Sequence, residues 1–125
     1  MSGYSFDANI IIDLFQGRSA ARSELRRASS EGPIWISRMV WIEVMSKGSG
    51  EYLREIEHFM SSLSMDELDA EIAARAAILR RDRARLKTPD AIILATAQLR
   101  GRILVTRNTK DFPAAMPGIR VPYTL

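Results

Sequence analysis

The sequence contains no cysteine and only one histidine, His58, among its 125 residues. The absence of cysteine excludes disulfide bonds, thiolate metal sites and cysteine nucleophiles. A single histidine in a polar segment argues against a Ser-His-Asp triad and against a zinc site. No glycine-rich phosphate loop of either common spacing is present. Any chemistry must therefore rest on carboxylates, amides, hydroxyls and basic side chains.

Long hydrophobic runs are also missing. The apolar stretches are too short and too often interrupted to cross a bilayer. No basic segment followed by an apolar one opens the chain, so we expect neither a signal peptide nor a membrane partner. The composition, 46% hydrophobic and 26% charged, is typical of a soluble globular protein. We expect one domain over residues 1–125 and a cytoplasmic location.

The net charge of +3 is unevenly distributed along the chain. Residues 1–62 carry 7 basic and 8 acidic side chains, a balance of −1, whereas residues 63–125 carry 11 basic and 7 acidic ones, a balance of +4. The basic excess lies in segments 80–87 and 100–110. Such a patch fits a phosphate backbone, but it also fits a solvated helix face, and the sequence leaves both open.

Short apolar segments alternate with helical ones. Strands are predicted over residues 4–6, 34–36, 103–105 and 120–121, and helices over 8–15, 19–31, 38–45, 51–63 and 89–100. Ser64 and Glu67 fit a capping box, which predicts a long helix that runs to about Leu86. The strands are apolar rather than alternating, which indicates an α/β domain with a parallel sheet.

Four carboxylates occupy positions where chemistry gathers in such a fold, namely Asp7, Glu43, Asp90 and Asp111. Each lies at a helix start, in an apolar run or just past a predicted strand, and polar groups at the carboxyl ends of parallel strands meet at one edge of the sheet. A cluster of oxygen ligands suits Mg²⁺ or Mn²⁺. This predicts metal-assisted hydrolysis, most plausibly of a phosphodiester.

Each acid also has an ordinary structural interpretation. Asp7 fits a helix cap, and Asp90 fits the favourable charge in the first turn of a helix. Glu43 fits an exposed position paired with Lys47, and Asp111 fits a turn. Asp13, by contrast, is expected at the surface.

Four segments in order resemble the PIN domain family, and within it the VapC-type toxins of bacterial toxin–antitoxin pairs. They are FDANI at residues 6–10, IS at 36–37 with IEV at 42–44, PDAIILATA at 89–97 and LVTRNTKDF at 104–112. Together they span most of the chain. Two positions depart from the commonest pattern, since Ala8 stands where threonine often follows the first aspartate and Trp41 replaces a smaller residue.

The resemblance implies a three-layer α/β/α domain with a short-stranded parallel sheet and the activity of an Mg²⁺- or Mn²⁺-dependent endoribonuclease. It implies that the metal-binding and catalytic acids are Asp7, Glu43, Asp90 and Asp111. The side chains that would orient ligands or water are Asn9, Ser37, Thr106 and Asn108. Candidates for contact with the RNA backbone are Arg83, Lys87, Arg107 and Lys110.

The resemblance also implies partners. These are an RNA substrate, a VapB-type antitoxin that covers the active site, and a second copy of the chain in a homodimer. Apolar residues suited either to those contacts or, with greater weight, to the core are Trp35, Trp41, Phe59 and Met60.

Two other classes of function remain to be compared with the nuclease. A phospho-acceptor signalling domain has a similar alternation of strands and helices, but it needs an adjacent acidic pair after the first strand, where this chain has Ala8 beside Asp7. A catalytically silent PIN-like module that binds RNA or protein would lack one or more of the acids, and here all four are present.

Overall fold

Five strands and six helices alternate along the chain in a computed structural model that describes residues 3–125. The strands are β1 (Tyr4–Phe6), β2 (Ile34–Ser37), β3 (Ser64–Asp66), β4 (Ile103–Val105) and β5 (Ile119–Arg120). The helices are α1 (Ala8–Phe15), α2 (Ser19–Glu31), α3 (Arg38–Met45), α4 (Gly50–Ser61), α5 (Ala70–Asp82) and α6 (Thr88–Arg100).

The strands form one parallel sheet in the order β3-β2-β1-β4-β5. The chain moves outward from β1 to β2 and β3, then crosses to the other side for β4 and β5. Because crossovers between parallel strands are right-handed, this reversal places α1–α4 on one face and α5–α6 on the other. The predicted three-layer α/β/α architecture is confirmed.

The reversal also creates the crevice in which open α/β sheets bind ligands, between β1 and β4. Phe6 and Val105 are paired in register, so the residues that follow them leave the sheet side by side. The backbone N–H of Asp7 donates to the carbonyl of Val105 at 2.9 Å. The first predicted acid is thereby fixed beside the segment that follows β4.

The core lies on both sides of the sheet. The β1 and β4 side chains Phe6, Leu104 and Val105 are nearly or fully buried, and α6 buries Ala91 and residues 93–97 in its middle. The sequence predicts α6 as a central helix because its residues are apolar almost all round, and this is confirmed. Asp90 consequently lies in the first turn of a helix whose middle is fixed in the core.

The structure differs from the sequence prediction at residues 64–86. Residues 64–66 do not cap a helix but form the edge strand β3, which pairs with β2. The Asp66 side chain, 5% exposed, accepts two hydrogen bonds from Arg102, at 3.0 and 2.9 Å. Helix α5 begins later, with Asp69 as its cap, accepting from the N–H of Ile72 at 2.9 Å. Long-range pairing with the sheet and with Arg102 therefore overrides a local capping pattern.

The same helix also ends earlier than predicted. Helix α5 stops at Asp82, and residues 83–87 form a separate turn before α6. Arg80 closes this turn by donating to the carbonyl of Leu86 at 2.9 Å, and the Leu86 side chain is buried. The turn brings several basic residues next to the carboxyl end of the sheet.

The large apolar residues considered for partner contacts contribute to the core in differing degrees. Met60 is 1% exposed, whereas Trp41 and Phe59 are partly buried against the core. The indole of Trp35 lies beneath the guanidinium of Arg102, 3.5 Å from the ring centre. Within residues 3–125, no helix combines the length and the apolar character needed to cross a bilayer.

Candidate active site

A cavity of about 290 Å³ opens at the carboxyl ends of β1 and β4. Its walls come from the start of α1, from α3 and the turn after it, from the first turn of α6 and from the segment that follows β4. The lining residues are Asp7, Ala8, Asn9, Ile12, Glu43, Lys47, Asp90, Arg107 and Asn108. Three of the four predicted acids thus meet at one cavity, although they are up to 83 positions apart in the chain.

Asp7 has the helix-cap role considered from the sequence and also lines the cavity. One carboxylate oxygen accepts from the N–H of Ala8 at 2.7 Å, which makes Asp7 the cap of α1. The other accepts from the hydroxyl of Thr106 at 2.7 Å. Burial, which leaves the residue 4% exposed, raises the pKa of Asp7, although these hydrogen bonds oppose the shift. A site at this position must therefore compensate a buried negative charge.

Asn9 and Thr106 hold the Asp7 carboxylate from two sides. The Asn9 amide donates to Asp7 at 3.4 Å and to the Thr106 hydroxyl at 3.3 Å. Its carbonyl oxygen accepts from the backbone N–H of Arg107 at 3.3 Å. Thr106 also accepts from the N–H of Asn108 at 3.0 Å. This network supports the orienting roles that the resemblance implies for Asn9 and Thr106.

Asp90, on the wall of the cavity, lies close to Asp111, which is not among the residues that line it. The pKa of Asp90 is raised to about 6 by burial and then by the negative charges of Asp111 and Asp7. Asn108 holds Asp111 in place, since its amide donates to the carboxylate at 3.0 Å and its carbonyl oxygen accepts from the Asp111 N–H at 3.3 Å. Asp111 therefore interacts with the three acids of the cavity through its charge on Asp90.

Glu43 is half-buried on α3, so its interpretation as an exposed surface position is wrong. Burial raises the pKa of Glu43, and the charges of Asp7 and Asp90 raise it further. Lys47 opposes that shift and lines the same cavity. Sequence reasoning considered Lys47 only as a helical neighbour of Glu43, and the turn after α3 makes it a cation of the site.

Ser37 is not among the residues that line the cavity. Its buried hydroxyl accepts from the N–H of Val40 at 3.1 Å, so it caps α3 as predicted. It acts on the site through the helix that carries Glu43. A direct role in orienting a ligand stays a prediction.

Asp13 overturns the expectation of a surface residue, because its exposure is 0%. Arg107 donates two hydrogen bonds to it, at 2.6 and 2.9 Å, and Tyr123 donates a third at 2.8 Å. These bonds outweigh burial and hold the pKa of Asp13 below its usual value. The apolar run around Asp13 was the only local sign of its burial. Of the four predicted RNA-backbone candidates, Arg107 is therefore already engaged by an acid.

The donor set fits a hard divalent cation in its chemistry. The acids supply only oxygen ligands. The pKa values of Glu43 and Asp90 are raised first by burial and then by the negative charges of neighbouring carboxylates, so negative charge is concentrated at this place. In residues 3–125, however, no three His, Cys, Asp or Glu side chains are spaced so that they could hold a metal ion as they stand. Two carboxylates about 4 Å apart repel by about 4 kcal/mol at an effective dielectric of 20, which favours such separation.

Comparison with known proteins gives a consistent result. The family model of the PIN domain matches residues 4–115. The tRNA(fMet)-specific endonuclease VapC of Shigella flexneri is 29% identical over 121 residues, which cover 90% of this chain and 91% of that protein. Ribonuclease VapC10 of Mycobacterium tuberculosis is 30% identical over 111 residues, or 86% of this chain and 84% of that protein.

Among solved structures, a chain of a toxin–antitoxin complex from Klebsiella pneumoniae is 41% identical and superimposes with a TM-score of 0.88. The match covers 98% of this chain and 100% of that chain. The agreement extends over the whole fold rather than over one motif. The chain therefore belongs to the PIN domain family, and within it to the VapC-type proteins.

Proposed function

We propose that this chain is a divalent-metal-dependent endoribonuclease that acts as the toxin of a toxin–antitoxin pair. The observation that carries the proposal is the convergence of Asp7, Glu43 and Asp90, from three separate elements, on one cavity. The ribonuclease and endonuclease names of the VapC relatives support the reaction, and the Klebsiella toxin–antitoxin complex supports the partner.

The four acids would hold Mg²⁺ or Mn²⁺, with Asp111 added from the side of Asp90. The bound ion would supply an activated water and offset charge on the scissile phosphate. Asn9 and Thr106 keep the Asp7 carboxylate oriented, and fixing ligands in this way commonly changes metal affinity about 10- to 100-fold. Asn108 does the same for Asp111.

Lys47 and the basic residues near the cavity would act on the RNA rather than on the metal. Lys47 lines the cavity beside Glu43, where a cation can contact the phosphate as its charge develops. Arg83, Lys87 and Lys110 lie on the other side of Asp111. We further propose that a VapB-type antitoxin covers this face and that the chain forms a homodimer.

A catalytically silent module that binds RNA is the second candidate. It is favoured by one observation, namely that the acids of residues 3–125 do not stand at metal-ligand spacing. The two proposals differ in their dependence on metal, which can be measured. Only the nuclease requires the acids to move together around a cation.

The test is incubation of the purified chain with total cellular RNA in Mg²⁺, in Mn²⁺ and in chelator. Asp7→Asn should abolish cleavage, and Asp82→Asn, a matched change at an exposed acid on α5, should leave it intact. Discrete cleavage that needs metal and disappears only in the Asp7 variant supports the nuclease. Tight, metal-independent binding without cleavage by the folded, antitoxin-free chain would favour the module instead.

A further inference from the structure

We propose that a second cavity, next to the carboxylate cluster, binds a phosphate of the RNA strand other than the one that is cleaved. The cavity has a volume of about 520 Å³ and is lined by Arg83, Ala84, Arg85, Lys87, Lys110 and Asp111. The inference rests on the proposed nuclease function for the identity of its ligand. We call this cavity the basic pocket.

The cations of the basic pocket form no ion pair within residues 3–125, whereas seven of the other thirteen arginines do. Within residues 3–125, none of its four basic side chains has a carboxylate within 4.0 Å, although Asp111 lines the same pocket. Ion pairs within that distance are formed instead by Arg18, Arg27, Arg38, Arg100, Arg102, Arg107 and Arg120. Four positive charges therefore face one cavity with a single acid on its wall. An anion is the ligand that such a cavity favours.

Arg83 lines the basic pocket with one terminal nitrogen engaged and the other unpaired. One of its terminal nitrogens donates to the backbone carbonyl of Asp111 at 2.7 Å. The other terminal nitrogen is buried and has no hydrogen-bond partner in the described residues. A buried donor without a partner carries an energetic cost. The planar guanidinium can recover that cost by donating to a phosphate oxygen.

The turn that carries these residues is anchored at both ends. Arg80 donates to the carbonyl of Leu86, and the N–H of Leu86 donates to the carbonyl of Arg83 at 3.0 Å. The buried Leu86 side chain fastens the turn to the core. Arg83, Arg85 and Lys87 are therefore held on a fixed loop, which lowers the entropic cost of binding.

The position of the basic pocket favours an RNA chain over an isolated anion. Asp111 belongs both to its wall and to the carboxylate cluster, because its charge acts on Asp90. A strand whose scissile phosphate lies at the acids would thus place another of its phosphates among the cations. Backbone-tracking basic grooves are the usual way in which proteins hold single strands.

The test measures RNA binding separately from cleavage. A fluorescently labelled single-stranded RNA is titrated by anisotropy with the Asp7→Asn protein in chelator, across a range of salt concentrations, and its cleavage by the wild type is assayed separately. The pocket variant adds Arg83→Gln and Arg85→Gln. The matched control adds Arg22→Gln and Arg26→Gln, two exposed arginines of α2 that form no ion pair within residues 3–125.

We expect the pocket variant to bind at least about tenfold more weakly, the value of one or more charge-assisted hydrogen bonds, and the control to change little. The slope of log affinity against log salt should decrease by about 0.7 for each phosphate that the variant no longer neutralises. Arg83→Lys keeps the positive charge but not the planar guanidinium, so its RNA affinity should lie between those of the pocket variant and the control. Thermal unfolding of each variant verifies that the fold is retained.

Replacing single phosphates of the RNA by neutral methylphosphonates then locates the bound phosphate. One substitution outside the cleaved position should weaken binding to the parent protein but not to the pocket variant. Equal binding by pocket and control variants, or no RNA binding by the parent, would overturn the inference even if the wild type cleaves RNA. A pocket variant that loses only affinity for an antitoxin would also overturn it. Absence of cleavage with pocket-dependent binding would instead remove the nuclease proposal.

Discussion

At the scale of single residues, the site is built from side chains that each serve the fold and the chemistry together. Asp7 caps α1 with one carboxylate oxygen and accepts a hydrogen bond from the Thr106 hydroxyl with the other. Asn108 shapes the turn after β4 while it holds Asp111. This dual use explains why each acid also fits an ordinary structural role when it is read singly.

Replacing Asp90 by asparagine should stabilise the metal-free protein at neutral pH. The folded-state pKa of Asp90 is about 6, above its ordinary value of 3.8, so ionised Asp90 destabilises the fold above pH 6 and has no such effect below about pH 3.8. After allowance for solvent screening, we expect a gain of about 1 kcal/mol at pH 7.5 in chelator.

Urea unfolding of Asp90→Asn and of wild type between pH 4 and 7.5 checks this prediction. The difference should grow as the pH rises through 4 to 6. Asp82→Asn, at an exposed acid whose side chain has no hydrogen bond or ion pair within residues 3–125, serves as the control. A variant that is less stable than wild type throughout would show that Asp90 is held by attractive contacts instead.

At the scale of elements, buried acids tie the helices to the sheet. Glu24 of α2, 4% exposed, accepts from Arg120 of β5 at 2.8 and 3.0 Å and from Arg27 on its own helix. Asp13 of α1 binds Arg107 after β4 in the same way. Both pairs fasten the α1–α2 side of the molecule to the strands that lie beyond the crevice.

Changing Glu24 to glutamine should cost about 2–4 kcal/mol of stability at pH 7, because the arginines keep their charges and lose their buried partner. Hydrogen bonds and charges from Arg27 and Arg120 outweigh burial and lower the pKa of Glu24 to about 2, from 4.5. The carboxylate therefore stabilises the fold fully above pH 4.5, and this contribution is lost as the pH falls towards 2.

Thermal or urea unfolding over that pH range gives the comparison. The gap between Glu24→Gln and wild type should narrow steadily below pH 4.5. Glu57→Gln, at an exposed position of α4, should show no gap at any pH. A gap for Glu24→Gln that is independent of pH would indicate impaired packing rather than a broken ion pair.

At the scale of the whole molecule, the acids belong to four parts of one chain that meet only when the sheet is complete. Asp7 follows β1, Glu43 lies on α3, Asp90 lies in the first turn of α6 and Asp111 follows β4. A cation bound between them would join both helical layers. Metal binding and global stability should therefore be coupled, as for any ligand that binds only the folded state.

Addition of MgCl2 should raise the unfolding temperature of wild type in a single transition. The stabilisation should reach about 2.7 kcal/mol at a concentration about one hundred times the dissociation constant. Scanning calorimetry of wild type and Asp7→Asn, with NaCl at equal ionic strength, checks this. An equal shift in both proteins would reflect general salt effects, and two transitions would contradict a single domain.

The sequence determined the architecture and the inventory of reactive groups, because both are local properties. Period and composition predicted four of the five strands, the parallel sheet and the burial of α6. The positions of Asp7, Asp90 and Asp111 relative to strand and helix ends placed them at one edge. Their spacing in the chain and their chemical type were sufficient for the family resemblance.

Tertiary structure alone decided how charges are paired. The burial of Asp13 depends on Arg107, 94 positions away, and β3 depends on pairing with β2 and on Arg102. Local patterns predicted that Asp13 lies at the surface and that Ser64 caps a helix. A charged or polar residue is expected to be exposed or to cap a helix when its distant partner cannot be identified from the sequence. Arg107 and Arg83 differ for the same reason. Arg107 is bound by Asp13, whereas one terminal nitrogen of Arg83 has no hydrogen-bond partner in the described residues, and only the fold determines which cations remain available to a ligand.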